Sequence, residues 1–138
     1  MLRRAADAEG VTAGRLRVLA DLAFECHERE LGVAALEQCL TNLLAGEPRR
    51  HSELAAVLRE LIRRAQSRTA AQPHFRTAMR LLDGCSDANA PLSTDDLQWL
   101  LAESWNKGVA AMREGRYDEA ETWMSQAFSF SNFSPALH

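Results

Sequence analysis

Apolar residues recur at helical spacing along the chain, and nowhere do apolar and polar positions alternate as they would on a half-buried strand. The pattern predicts an all-α fold, a single domain spanning residues 1–138, with about six helices in three antiparallel pairs. Thr12 is placed to cap a first helix whose Leu16, Leu19, Ala23 and Cys26 share one face, opposite Arg15, Arg17, Asp21 and Glu25. After a break at "HERE", the residues Val33, Leu36, Leu40, Leu43 and Leu44 mark a second helix, which Gly46 and Pro48 close. Ser52 is placed to cap the helix with the clearest stripe of the sequence, Leu54, Val57, Leu58, Leu61, Ile62 and Ala65, with Arg59, Glu60, Arg63 and Arg64 outside it.

The second half follows the same logic. "SRTAAQ" reads as a polar loop, and Pro73 as a first-turn residue of a short helix that carries Phe75, Ala78, Met79 and Leu82 and ends at Gly84. "CSDANAP" is the longest expected loop. Ser93, with Asp96 three residues on, has the form of a capping box; Leu97, Leu101, Trp105, Gly108 and Met112 continue from it as a long fifth helix. The sixth begins near Asp118, carries Ala120, Met124, Ala127 and Phe128 on one stripe, and stops at or before Pro135.

Two glycines stand out against this background. Gly108 lies inside a helix, where glycine costs about 1 kcal/mol relative to alanine. The reading that accounts for it is close helix contact, with Ala120 and Ala127 completing a small-residue seam between the fifth and sixth helices. Gly115 is placed to stop the fifth helix in a left-handed conformation, after which Tyr117 anchors the sixth.

Composition narrows the function classes. The 138 residues are 46% hydrophobic and carry a net charge of −3, which argues against a nucleic-acid footprint or an anionic membrane partner. No apolar run is long enough to span a bilayer, and "MLRRAADAEG" lacks the apolar core of a signal peptide, so the chain is expected to stay inside the cell. Cys26, Cys39 and Cys85 form no CxxC pair and are expected as reduced thiols. Cys26 beside His27 makes no nucleophile–base pair, because neighbours in a helix point about 100° apart. His27, His51, His74 and His138 have no metal-ligand spacing, and no glycine-rich phosphate loop follows a strand. Arg49, Arg50, Arg59, Arg63 and Arg64 are interrupted by Glu53 and Glu60, as on a solvated face. The expectation is a protein without catalytic residues, cofactor, metal or small-molecule substrate.

The stretch "WNKGVAAMREGRYDEAETWMSQAF" resembles a tetratricopeptide repeat, a helix-turn-helix unit of about 34 residues. With the repeat over 101–134, the residues Gly108, Gly115, Tyr117, Ala120 and Ala127 fall on its small, turn, aromatic, small and small positions. Trp105 lies one place beyond the usual tryptophan, Met124 replaces an aromatic, and Asn132 stands at the usual proline. "AFECHERELGVAALEQCL" reads as a degenerate copy over about 13–45, with its turn in "HERE" and Ala34 and Ala35 as the small residues of its second helix.

A narrower resemblance rests on "SWNKGV", "GRYDEAETWM" and "AFSF", together with the order of "VAALEQCLTNLL", "VLRELIRR" and "LQWLLAESWN". In these the chain is similar to the meiotic Zip-four family of sporulation and crossover scaffolds, over about residues 14 to 134. The resemblance implies a nuclear, chromosome-associated, non-enzymatic solenoid that holds synapsis-initiation or central-element proteins together. It carries the family's partner contact onto Trp105 and Asn106, with Val109 and Arg113 following on the same helix. The bland readings are that Trp105 belongs mainly to the core stripe and that Asn106 is merely solvated, while Trp99 and Trp123 pack between repeats. The alternative function is a generic, cytoplasmic tetratricopeptide adaptor. A chaperone-type carboxylate clamp is disfavoured, because Trp105 and Val109 occupy the positions where it needs lysine and asparagine.

Overall fold

A computed structural model describes residues 9–46, 51–83 and 92–133 of the chain. The described residues form six helices and no strand. They divide into two compact units, Met1–Gln66 and Ser67–His138.

The first unit holds α1 (Glu9–Glu25), α2 (Arg29–Ala45) and α3 (His51–Arg64). α1 and α2 form a tight hairpin through a small-residue seam. Ala20 and Ala23 are buried on α1 and Gly32 on α2. A Cβ on Gly32 would stand 2.7 Å from the Phe24 ring, so the absence of a side chain is what admits that ring. α2 then presents Leu36, Cys39, Leu40 and Leu43 to a core completed by Leu54, Val57, Leu58, Leu61 and Ile62 of α3. The Arg64 guanidinium lies 4.0 Å from the centroid of the Phe24 ring and is held by Glu60 at 2.8 Å. Glu60 also pairs with Arg63, so this part of the arginine run is the solvated face its glutamates suggested.

Three sequence expectations are corrected here. α1 begins at Glu9, leaving Thr12 inside the helix rather than at its cap. Ser52 likewise lies within α3, and Pro48 falls outside the described residues. Leu19 is 57% exposed and Cys26 is exposed, although both were placed on the inner stripe. Close approach of α1 to α2 demands alanine and glycine at the contact, and that requirement rotates the larger residues outward.

The second unit holds α4 (Arg68–Asp83), α5 (Thr94–Arg113) and α6 (Tyr117–Ser131). α4 starts within the segment read as a polar loop, because Ser67 caps it: its Oγ accepts from Ala70 N at 3.1 Å and its carbonyl from Ala71 N. Pro73 therefore sits in the helix interior rather than its first turn. The carbonyl it leaves without a donor is that of Thr69, an exposed residue that water can serve. Gly84 and the "CSDANAP" loop lie outside the described residues. The capping box forms as expected: Ser93 Oγ accepts from Asp96 N at 3.1 Å and donates to Asp96 Oδ2 at 2.9 Å. Leu92 and Leu97, the two positions of a hydrophobic staple around that cap, are both buried. Phe75 of α4 meets Trp123 edge-on at 5.1 Å and Phe130 at 6.2 Å, forming the aromatic centre of this unit.

Candidate functional site

The candidate site is the outward face of α5 and its border with α6. Its geometry follows from what the inner face buries: Leu97, Leu100, Ser104, Gly108 and Ala111. Ser104 is fully buried and donates its hydroxyl to the Trp123 carbonyl at 2.7 Å, which ties the two helices together across the seam. One turn on, a Cβ at Gly108 would lie 2.7 Å from Met124 Cγ, 3.2 Å from the Ala120 carbonyl oxygen and 3.3 Å from Trp123 Cβ. Gly108 is thus the point of closest approach, with Ala120 and Ala127 buried opposite. At the turn, Gly115 has φ +79°, and the Arg116 N–H donates to the Ala111 carbonyl at 2.9 Å while Gly115 donates to Met112 at 3.0 Å.

This seam turns Trp105, Asn106, Val109 and Arg113 away from the core. Trp105 is 41% exposed, Asn106 and Arg113 are exposed, and Val109 is half-buried. The placement of Trp105 on the inner stripe is therefore corrected, as is that of Met112, which is 46% exposed. Phe128, read as interior, is 66% exposed and meets Trp105 edge-on at 6.0 Å. Trp105, Met112 and Phe128 thus leave apolar area in water beside the amide of Asn106 and the guanidinium of Arg113. That combination suits a protein surface, since it offers aromatic anchors together with donors and an acceptor. Tyr117, expected to anchor α6, is 68% exposed; the anchoring falls to Trp123 and Phe130 instead.

Arginine at position 68 organises the opposite side of this hairpin. It lies in the segment read as a loop, and no local sequence signal pairs it with residues so distant. Its Nε reaches Glu119 at 2.6 Å, and its two terminal nitrogens reach both oxygens of Glu114 at 2.8 and 2.9 Å. These hydrogen bonds hold both carboxyls below the usual glutamate range and raise the Arg68 pKa further. Lys107 pairs with Glu103 at 3.3 Å and points its ammonium toward the Phe75 ring, 5.8 Å from its centroid. These charged groups fasten α4 to the hairpin.

The hairpin of the first unit repeats this design position by position. Glu28 N donates to the Ala23 carbonyl at 2.7 Å and His27 N to Phe24 at 3.1 Å, matching Arg116 to Ala111 and Gly115 to Met112. His27, at φ 62°, stands where Gly115 stands. Ala20 corresponds to Gly108, Gly32 to Ala120 and Cys39 to Ala127, all of them buried. The small positions of the second copy are therefore Gly32 and Cys39; Ala34 is exposed and Ala35 half-exposed. Burial raises the pKa of the Cys39 thiol and keeps it protonated, as befits a packing residue.

Among the described residues, no group of histidine, cysteine and carboxylate side chains is arranged to hold a metal ion, and no helix is long and apolar enough to cross a membrane. No curated protein and no solved structure matches the chain. The family model for "Meiosis protein SPO22/ZIP4 like" matches residues 2–129, which takes in both hairpins and the Trp105–Asn106 face. The chain is a member of the SPO22/ZIP4-like meiosis protein family, and its role belongs to meiosis.

Proposed function

We propose that the chain is a non-catalytic protein-binding scaffold that acts on meiotic chromosomes in the nucleus, in synapsis and crossover formation. It works through tetratricopeptide-like hairpins. The observation that carries this reading is the outward face of α5, where the 41% exposed Trp105 meets the exposed Phe128 edge-on beside Asn106, Val109 and Arg113. An isolated chain leaves such an aromatic pair in water at a free-energy cost that a partner's apolar side chains remove. Asn106 then pairs with polar groups of the partner, and Arg113 adds a charge at the rim. The partners are other proteins of the synapsis machinery, the central-element proteins of the synaptonemal complex among them. The scaffold needs no cofactor, no small-molecule substrate and no direct contact with nucleic acid.

The test is co-precipitation of purified central-element proteins with this chain and with its Trp105→Ala and Phe128→Ser variants. Retention by the parent and loss in both variants supports the reading. If the parent retains none of them, the meiotic partner assignment fails.

A further inference from the structure

α4 and α6, neighbouring helices of one unit, leave a groove of about 400 Å³ between them. Arg68, Thr69, Gln72 and Arg76 line it from α4, and Thr122 and Trp123 from α6. Arg68, at one end of the α4 wall, is held by Glu114 and Glu119. The groups that follow it on α4 are not engaged in this way. Pro73 deprives the Thr69 carbonyl of its helical donor. The Oε1 atom of Gln72 is buried and has no hydrogen-bond partner among the described residues. Arg76 is exposed and makes no ion pair among them, and exposed Arg80, one turn on, makes none either. Across the groove, Thr122 gives its hydroxyl proton to the Asp118 carbonyl at 3.1 Å and so presents its oxygen as an acceptor.

The groove therefore offers acceptors on both walls and an uncommitted guanidinium at one end. An occupant that matches it donates several hydrogen bonds and carries a negative charge. A phosphate ion answers Arg76 but brings mainly acceptors to Thr69, Gln72 and Thr122. An extended peptide supplies both, through its backbone N–H groups and a carboxylate side chain. The dimensions agree: α4 rises about 12 Å from Arg68 to Arg76, which about three or four extended residues span. Gln72 is half-buried, so a rotamer change brings its amide to the occupant, and the exposed ring of Pro73 adds an apolar contact beside it.

We propose that the α4–α6 groove binds an extended acidic segment of another protein, its carboxylate on Arg76 and its backbone N–H groups on Gln72 and the Thr69 carbonyl. The groove shares no residue with the Trp105–Asn106 face and stands or falls independently of the function proposed above.

Fluorescence anisotropy of a labelled eight-residue peptide of alternating leucine and glutamate, titrated with the full chain, tests the proposal. Saturable binding is expected, with the glutamine and lysine counterparts of the peptide bound about tenfold or more less tightly. Arg76→Glu should raise the dissociation constant of the glutamate peptide by about tenfold or more and shift the preference to the lysine peptide. The melting temperature should hold, because Arg76 is exposed and unpaired. Gln72→Met should weaken binding while the melting temperature holds or rises, since it replaces an unsatisfied buried acceptor by an apolar group. Absence of saturable binding by the glutamate peptide overturns the proposal. So does equal affinity for the three peptides, an unchanged dissociation constant for Arg76→Glu, or a Gln72→Met variant that melts lower and binds as tightly as the parent.

Discussion

His27 and Gly115 hold the same left-handed position in corresponding turns, at φ 62° and φ 79°. Each ends the first helix of a hairpin and lets the next residue's N–H reach back to a buried alanine carbonyl, Ala23 in one case and Ala111 in the other. Glycine adopts this conformation freely, whereas a residue with a Cβ is strained by about 1–2 kcal/mol. Opposite substitutions should therefore have opposite signs. His27→Gly should stabilise the chain by about 0.5–1 kcal/mol, and Gly115→Ala should destabilise it by about 1–2 kcal/mol. The latter cost is purely conformational, since nothing lies within 4 Å of a Cβ added at Gly115. Urea unfolding of both variants beside the parent measures the two values; a shared sign would contradict the matched-turn assignment.

Gly108 should tolerate no large side chain. Met124 is flexible and can yield, but the Ala120 carbonyl, 3.2 Å from the added Cβ, belongs to the backbone of α6. Gly108→Leu gains helix propensity of about 1 kcal/mol and forces the helices apart, so a net loss of about 1–3 kcal/mol is expected. The melting temperature should fall accordingly; a rise would remove the close-packing account of this glycine.

The Arg68 clamp should make stability depend on acid. Its hydrogen bonds lower the folded-state pKa of Glu114 and of Glu119 below their unfolded values. The contribution is therefore fully present above the ordinary glutamate pKa of about 4.3 and is lost as pH falls through the lowered values. Arg68→Met should melt earlier than the parent near neutral pH. The gap should narrow as pH falls from about 5 to about 3. A gap that does not change with pH would show that Arg68 acts by packing alone.

The parts of the fold legible in the sequence are those set by local chemistry. Ser93 and Asp96 announce the start of α5, Gly115 announces its end, and the stripe from Leu54 to Ile62 defines α3 without reference to anything distant. The rotation of α1, α5 and α6 about their axes was not legible in the same way. Their buried seams are built from Ala20, Gly32, Cys39, Ser104 and Gly108, which carry little hydrophobic signal, and the bulkier Leu19, Met112 and Phe128 drew the stripe to the wrong side. Arg68 was hidden for another reason: its partners Glu114 and Glu119 are brought near only by the packing of α4 on the hairpin. For the candidate site, Trp105 and Asn106 were readable through motif resemblance, whereas the contribution of Phe128 emerged only once the rings were seen 6.0 Å apart.

The central claim, that the outward face of α5 recognises a protein partner, meets its most direct test at Asn106. Asn106→Gln keeps the amide but displaces it by one methylene, and because Asn106 is exposed the helix should be little affected. Affinity for a central-element protein should be titrated by calorimetry for the parent and the variant, with melting curves taken in parallel. Loss of an interfacial hydrogen bond of about 1–3 kcal/mol predicts binding weaker by up to about a hundredfold at an unchanged melting temperature. Equal affinity of parent and variant for every central-element protein that the parent binds would contradict it.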